Sequence, residues 1–199
     1  MTLAELVIAM GLSSLLLALA CSSALSLWKG FLTQEELTYR QESFADLYTL
    51  LEEDIKNAGS DPLNMGLFKK ESAVGIVAPA EDHAGGLQLR SDFTGADGGG
   101  PDGDADDAGE RIVYAFIPSR ATLVRWVDDG EGNLVPSDRI SPVVAFSFAL
   151  EDANGKPTSG SDAVQIQIAV SLATGSGDPS SAPRLGRVWR FGIRCALAP

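Results

Sequence analysis

Residues 6–28 contain no Asp, Glu, Lys or Arg, and this stretch limits the fold more than any other feature. About 23 residues of helix, at roughly 1.5 Å each, measure about 34 Å, which spans the hydrocarbon of a bilayer. Lys29 follows Trp28 directly, so an aromatic residue and a cation mark one interface. A secretory signal peptide would need a positive start, a shorter apolar stretch and a small-residue cleavage site. Here no Lys or Arg precedes residue 29, and the stretch is too long. A plain single-pass anchor has no use for a carboxylate at its start. Glu5 nevertheless stands at the edge of the run, where an isolated charge is costly and usually functional.

Beyond Lys29 the helical pattern continues to about Asn57. Leu37, Phe44, Leu47, Tyr48, Leu51 and Ile55 recur at spacings of three, four and seven. Glu35, Glu36, Arg40, Gln41, Glu42, Asp46, Glu52 and Glu53 suit a solvated face. Gly59 and Pro62 supply the stop. One helix over residues 2–57 would be about 80 Å long, too long for one span, so its second half must pack on something soluble. A dimeric coiled coil is the alternative, but only about three imperfect heptads are available for it.

The rest of the chain reads as strands and loops. Strands are expected at 74–78, 87–91, 111–117, 122–127, 142–150, 163–172 and 187–195. Residues 164–168 and 145–148 alternate with period two, as strands with one wet face do. Residues 118–121 read as a hairpin turn, and Asn154-Gly155 marks another. The expectation is an α+β fold. Its parts are a transmembrane half-helix (1–28), an amphipathic half-helix (29–58) and a β-rich domain (59–199) with an acidic loop at 95–110.

Composition narrows the function classes. The formal charge of −12 opposes a phosphate backbone, so direct nucleic-acid binding is not expected. Two distant cysteines, Cys21 and Cys195, and the single His83 leave little material for a zinc site or a Cys/His dyad. No nucleophile elbow, phosphate loop or paired His motif is present, and Asp128, Asp129 and Glu131 read as turn residues, so no catalytic residues are assigned. In the acidic loop, Asp102, Asp104 and Asp106 have the one-three-five spacing of a calcium loop. The EF-hand pattern then fails, with Asp107 at position six and Val113 at position twelve. A solvated acidic insertion is the plainer reading, and calcium is the one cofactor the spacing raises.

The start Met1-Thr2-Leu3-Ala4-Glu5-Leu6, followed by the apolar run, resembles a mature type IV pilin or type II secretion pseudopilin. In that family a prepilin peptidase removes a leader and the new N-terminal residue, here Met1, is N-methylated. The family places Thr-Leu at positions two and three and Glu at position five, and all three match. Phe is its usual first residue and Met an accepted variant. The later stretches, such as RIVYAFIPSRATLVRWV and RVWRFGIRC, are similar in order to PilW-type minor pilins and J-type pseudopilins.

The resemblance implies a pilin-like fold, with the long helix packed on an antiparallel sheet. It implies a filament subunit rather than an enzyme, acting at the tip or the initiation of a type IV pilus or secretion filament. Some pseudopilins bind calcium, so the resemblance keeps calcium open at the acidic loop and implies no other cofactor. The expected partners are other pilin subunits through the N-terminal helix, the prepilin peptidase, and the inner membrane before assembly. Location in a bacterial inner membrane and then in the filament follows, with the β-rich domain periplasmic or extracellular. A carboxylate in an apolar bundle needs a partner: within one helix Glu5 and the Met1 ammonium are about a turn apart and can pair, and in a staggered stack Glu5 would pair with the Met1 ammonium of a neighbour and set the axial register. Gly11, Ser13, Ser14, Ala18, Ala20, Ser22 and Ser23 permit close helix approach. Many major pilins carry Pro near position 22, where this chain has Ser22. A major pilin, or a membrane-anchored binding or adhesion domain outside any filament, are the competing readings.

Overall fold

The computed structural model describes residues 2–63, 67–70, 73–79, 85–95, 99–158, 163–173 and 184–193. Helix α1 (Leu3–Asn57) is unbroken over 55 residues. A four-residue turn of helix, α2 (Leu67–Lys70), follows. Among the described residues eight strands come next: β1 (Val74–Val77), β2 (Gly86–Arg90), β3 (Arg111–Ile117), β4 (Thr122–Asp128), β5 (Leu134–Ile140), β6 (Val143–Glu151), β7 (Gln165–Ala173) and β8 (Arg184–Gly192). They form an antiparallel five-stranded sheet in the order β1-β2-β3-β4-β5 and an antiparallel three-stranded sheet in the order β6-β7-β8. The α+β layout read from the sequence is present.

The chain divides into two units, Met1–Glu42 and Ser43–Pro199. In the first, the helix exposes its apolar side chains: Leu3, Val7, Ile8, Met10, Leu16 and Leu25 are all well over half exposed. This stretch makes α1 long and apolar enough to cross a membrane. Arg40, read as solvated, is only 9% exposed and pairs with Glu36 at 3.6 Å.

In the second unit, Phe44, Leu47, Leu51 and Ile55 are buried. Their spacing of three and four places them on one stripe. They meet the inward residues of the strands, Ile112, Tyr114 and Phe116 of β3 and Ile166, Ile168, Val170 and Leu172 of β7. The period of two along each strand brings those residues to one face. Tyr48 and Phe44 add edge contacts to Trp189 at 5.8 and 5.9 Å between ring centroids.

Gly59 ends the helix, as its position predicts, with φ at 77°. Its N–H donates to the Arg90 carbonyl at 2.8 Å, and the Asp92 N–H donates to the Ser60 carbonyl at 2.9 Å. The helix end is thereby hooked onto the end of β2. Seven of the expected strands appear with shifts of a few residues at their ends. The expected strand end at Cys195 lies outside the described residues. Strand β5 was not expected from sequence.

Candidate functional site

The first candidate is the start of α1. The Thr2 N–H donates to Glu5 Oε2 at 2.8 Å, and the Glu5 N–H donates to Thr2 Oγ1 at 3.4 Å. This reciprocal pair is a capping box, and it satisfies two N–H groups that a helix start leaves without partners. The Thr2-x-x-Glu5 spacing is itself the sequence pattern of such a box. Glu5 therefore has a local structural task, independent of any neighbour. Met1, the expected pairing and methylation site, lies outside the described residues.

The second candidate is the acidic loop between β2 and β3. Glu110 is fully buried and organises it. Its Oε1 accepts from the Phe93 and Thr94 N–H groups at 2.8 and 2.9 Å, and its Oε2 accepts from the Asp107 N–H at 3.3 Å. The Asp102 carboxylate accepts from the Asp104 N–H at 3.3 Å, and Asp104 accepts from the Asp106 N–H at 3.2 Å. These short-range bonds fold the loop back on itself.

Carboxylate oxygens of Asp102, Asp104 and Asp107 all lie within 4.8 Å of one another. Two oxygens on opposite sides of a calcium ion, each about 2.4 Å away, would be about 4.8 Å apart, so the spacing suits such an ion. The sequence spacing had named Asp102, Asp104 and Asp106. In the structure Asp107 takes the third place, and Asp106 instead ion-pairs with Arg90 at 3.0 Å. The physical reason is the Arg90 guanidinium at the end of β2, which draws the Asp106 carboxylate to itself.

Beside the cluster, Asp92 is fully buried; its Oδ2 accepts from the Gly103 N–H at 3.1 Å and its Oδ1 has no partner. Burial first, and the Glu110 charge second, raise the Asp92 carboxyl above its usual range. Burial and then the charges of Asp102 and Asp104 do the same to Asp107. The loop therefore holds more negative charge than its own cations neutralise.

A third group was missed at the sequence level. Asp54 on α1 accepts two hydrogen bonds from Arg125 of β4, at 2.7 and 2.9 Å, and a third from the Tyr114 hydroxyl. The hydrogen bonds to Asp54 raise the Arg125 guanidinium, and burial, with Asp54 second, raises the Tyr114 hydroxyl. Asp54 lies three residues after Leu51 and seven after Leu47, on the inward stripe, and that phase was the available signal. The bidentate geometry fastens helix to sheet.

No family model, no curated protein and no solved structure matches this chain.

Proposed function

We propose that this chain is a type IV pilin-like filament subunit, a minor pilin or pseudopilin, held in the bacterial inner membrane by α1 until it is assembled. The observation that carries the reading is one uninterrupted helix whose first part is apolar and exposed and whose last part buries its stripe against antiparallel sheet. A globular protein in water has no use for so large an exposed apolar surface. Lipid covers it first, and packed helices of neighbouring subunits cover it in the filament. Thr2 and Glu5 supply the second support. Partners are other pilin subunits and the prepilin peptidase, and the β-rich unit is periplasmic or extracellular. No catalytic role is proposed.

The capping box sharpens the test of Glu5. Glu5→Ala removes both the charge and the cap, the latter worth about 1 kcal/mol. Glu5→Gln keeps an acceptor for the Thr2 N–H and removes only the charge. If Glu5 pairs with a neighbour's ammonium, both variants insert in the membrane and neither enters sheared filaments. Normal incorporation of Glu5→Gln would reduce Glu5 to a helix cap.

Calcium is the cation proposed for Asp102, Asp104 and Asp107. The unpartnered Oδ1 of buried Asp92 beside them is what favours it over a solvated insertion. A calcium titration of the full chain in detergent should release or absorb heat and raise the melting temperature. No change at millimolar calcium would remove the idea.

A further inference from the structure

The β3–β4 hairpin carries a cavity of about 330 Å³ on the face of the sheet opposite Asp54. Period two explains its lining: Leu123 and Arg125 of β4 turn toward the helix, while Thr122, Val124 and Trp126 share the other face. The register sets Ile117 opposite Thr122 and Arg139 opposite Val124. Ile117 and Val124, both buried, form the apolar floor, and Trp126 is a half-buried wall. Ser119 and Arg120 complete the rim from the turn.

That turn is strained. Ala121 has φ 48° and ψ 44°, a left-handed conformation that costs an L-residue about 1–2 kcal/mol. Its N–H donates to the Pro118 carbonyl at 3.1 Å, and its carbonyl accepts from the Val143 N–H at 2.7 Å. Both bonds lock the conformation and hold Arg120 at the cavity. Strain of this kind gathers at binding sites.

The charges around the cavity are unusual for this chain. Arg40, Arg90, Arg111, Arg125 and Arg190 each have a carboxylate within ion-pair range. Among the described residues Arg120, Arg139 and Arg187 have none, and the first two of these line the cavity, although acidic residues outnumber basic ones by 27 to 15. No described carboxylate lines the cavity. Two guanidiniums and the Ser119 hydroxyl offer hydrogen-bond donors, while the Thr122 hydroxyl donates to the Arg120 carbonyl at 2.9 Å; guanidinium forks match carboxylate and phosphate oxygens. Trp126 offers a flat apolar surface for a ring.

We propose that this cavity binds a small organic anion, a ring-bearing carboxylate or phosphate held by Arg120 and Arg139 with its ring against Trp126. The volume lies at the low end of the range for small-ligand sites, about 300–1,000 Å³, which fits one or two rings. The net charge of −12 disfavours a long polyanion. The site stands on its own geometry and does not depend on the filament reading.

The test is calorimetry on the full chain in detergent micelles with four probes: glucuronate, adenosine 5′-monophosphate, glucose and inorganic phosphate. At least one of the two ring-bearing anions should bind with Kd of about 1 mM or tighter, and which one does so tells carboxylate from phosphate. Glucose and inorganic phosphate should bind at least about tenfold more weakly. Arg120→Ala and Arg139→Ala should each weaken binding about tenfold with the melting temperature unchanged, since both side chains are exposed. Arg139→Lys keeps the charge, loses the fork, and should fall between. The proposal is overturned if neither ring-bearing anion binds below about 10 mM. It is equally overturned if inorganic phosphate binds as tightly as the ring-bearing anion that binds, or if binding survives the double Arg→Ala variant.

Discussion

Leu15 and Leu51 are the same residue on the same helix, 59% and 0% exposed. Around Leu15 every apolar side chain faces outward, whatever its position on the helical wheel. Around Leu51 only one stripe is apolar, and it is covered by sheet. An amphipathic pattern marks a helix with protein on one side and water on the other. An all-apolar pattern marks a helix with no water on any side. The two stretches share a backbone conformation and differ in what solvates them, so they should respond differently to the same change.

The largest effect should come from the polar fastening in the second unit. Asp54→Ala leaves Arg125 and Tyr114 without their shared acceptor and should lower stability by about 3–5 kcal/mol, read by thermal or denaturant melting. Replacing Asp54, Arg125 and Tyr114 together by apolar residues of similar volume should recover much of that loss. Next comes the direct pair. Leu51→Ala should destabilise the β-rich unit by about 2–5 kcal/mol, and Leu15→Ala should leave its melting temperature unchanged. Equal effects from the two would break the comparison.

The smallest effect concerns the acidic loop. The Asp92 and Asp107 carboxyls are raised, so the folded state takes up protons there before the unfolded state does. Stability should therefore rise as pH falls from 7 through their raised values, levelling off near the ordinary aspartate value of about 4. Asp129 and Asp152 are lowered, chiefly by backbone N–H bonds from Glu131 and Lys156, and their contribution is lost only below that value. A melting-temperature profile should pass through a maximum in mild acid. Millimolar calcium at pH 7 should reproduce part of the gain. A profile that falls steadily from pH 7 would contradict this electrostatic account of the loop.

Much of this architecture is legible in the residues. Absence of charge over residues 6–28 and the stripe through Phe44, Leu47, Leu51 and Ile55 give the helix, and Gly59 gives its end. Period two gives most of β7 and part of β6. Strand β5 is hidden because Pro136 interrupts it and Ser137, Asp138 and Arg139 give it no apolar alternation. It is an edge strand, where a proline costs no ladder bond, and its register with β4 shifts at Arg125/Trp126, beside Pro136. The exchange of Asp106 for Asp107 depends on Arg90, sixteen residues away in sequence, and no local spacing encodes that. The ligand cavity is equally non-local, since Arg120, Trp126 and Arg139 meet only through strand register. Local chemistry such as caps, turns and periodicity can be read along the chain, whereas groups that meet across strands need the fold.

The proposed filament role makes the exposed half of α1 the part that packs between subunits. Mass spectrometry of the native protein from sheared filaments tests it most directly. The account predicts recovery of the chain in that fraction, with Met1 as its N-terminal residue carrying a methylated amine. Protein that stays wholly in the membrane fraction, with an unmethylated N-terminus, would contradict it.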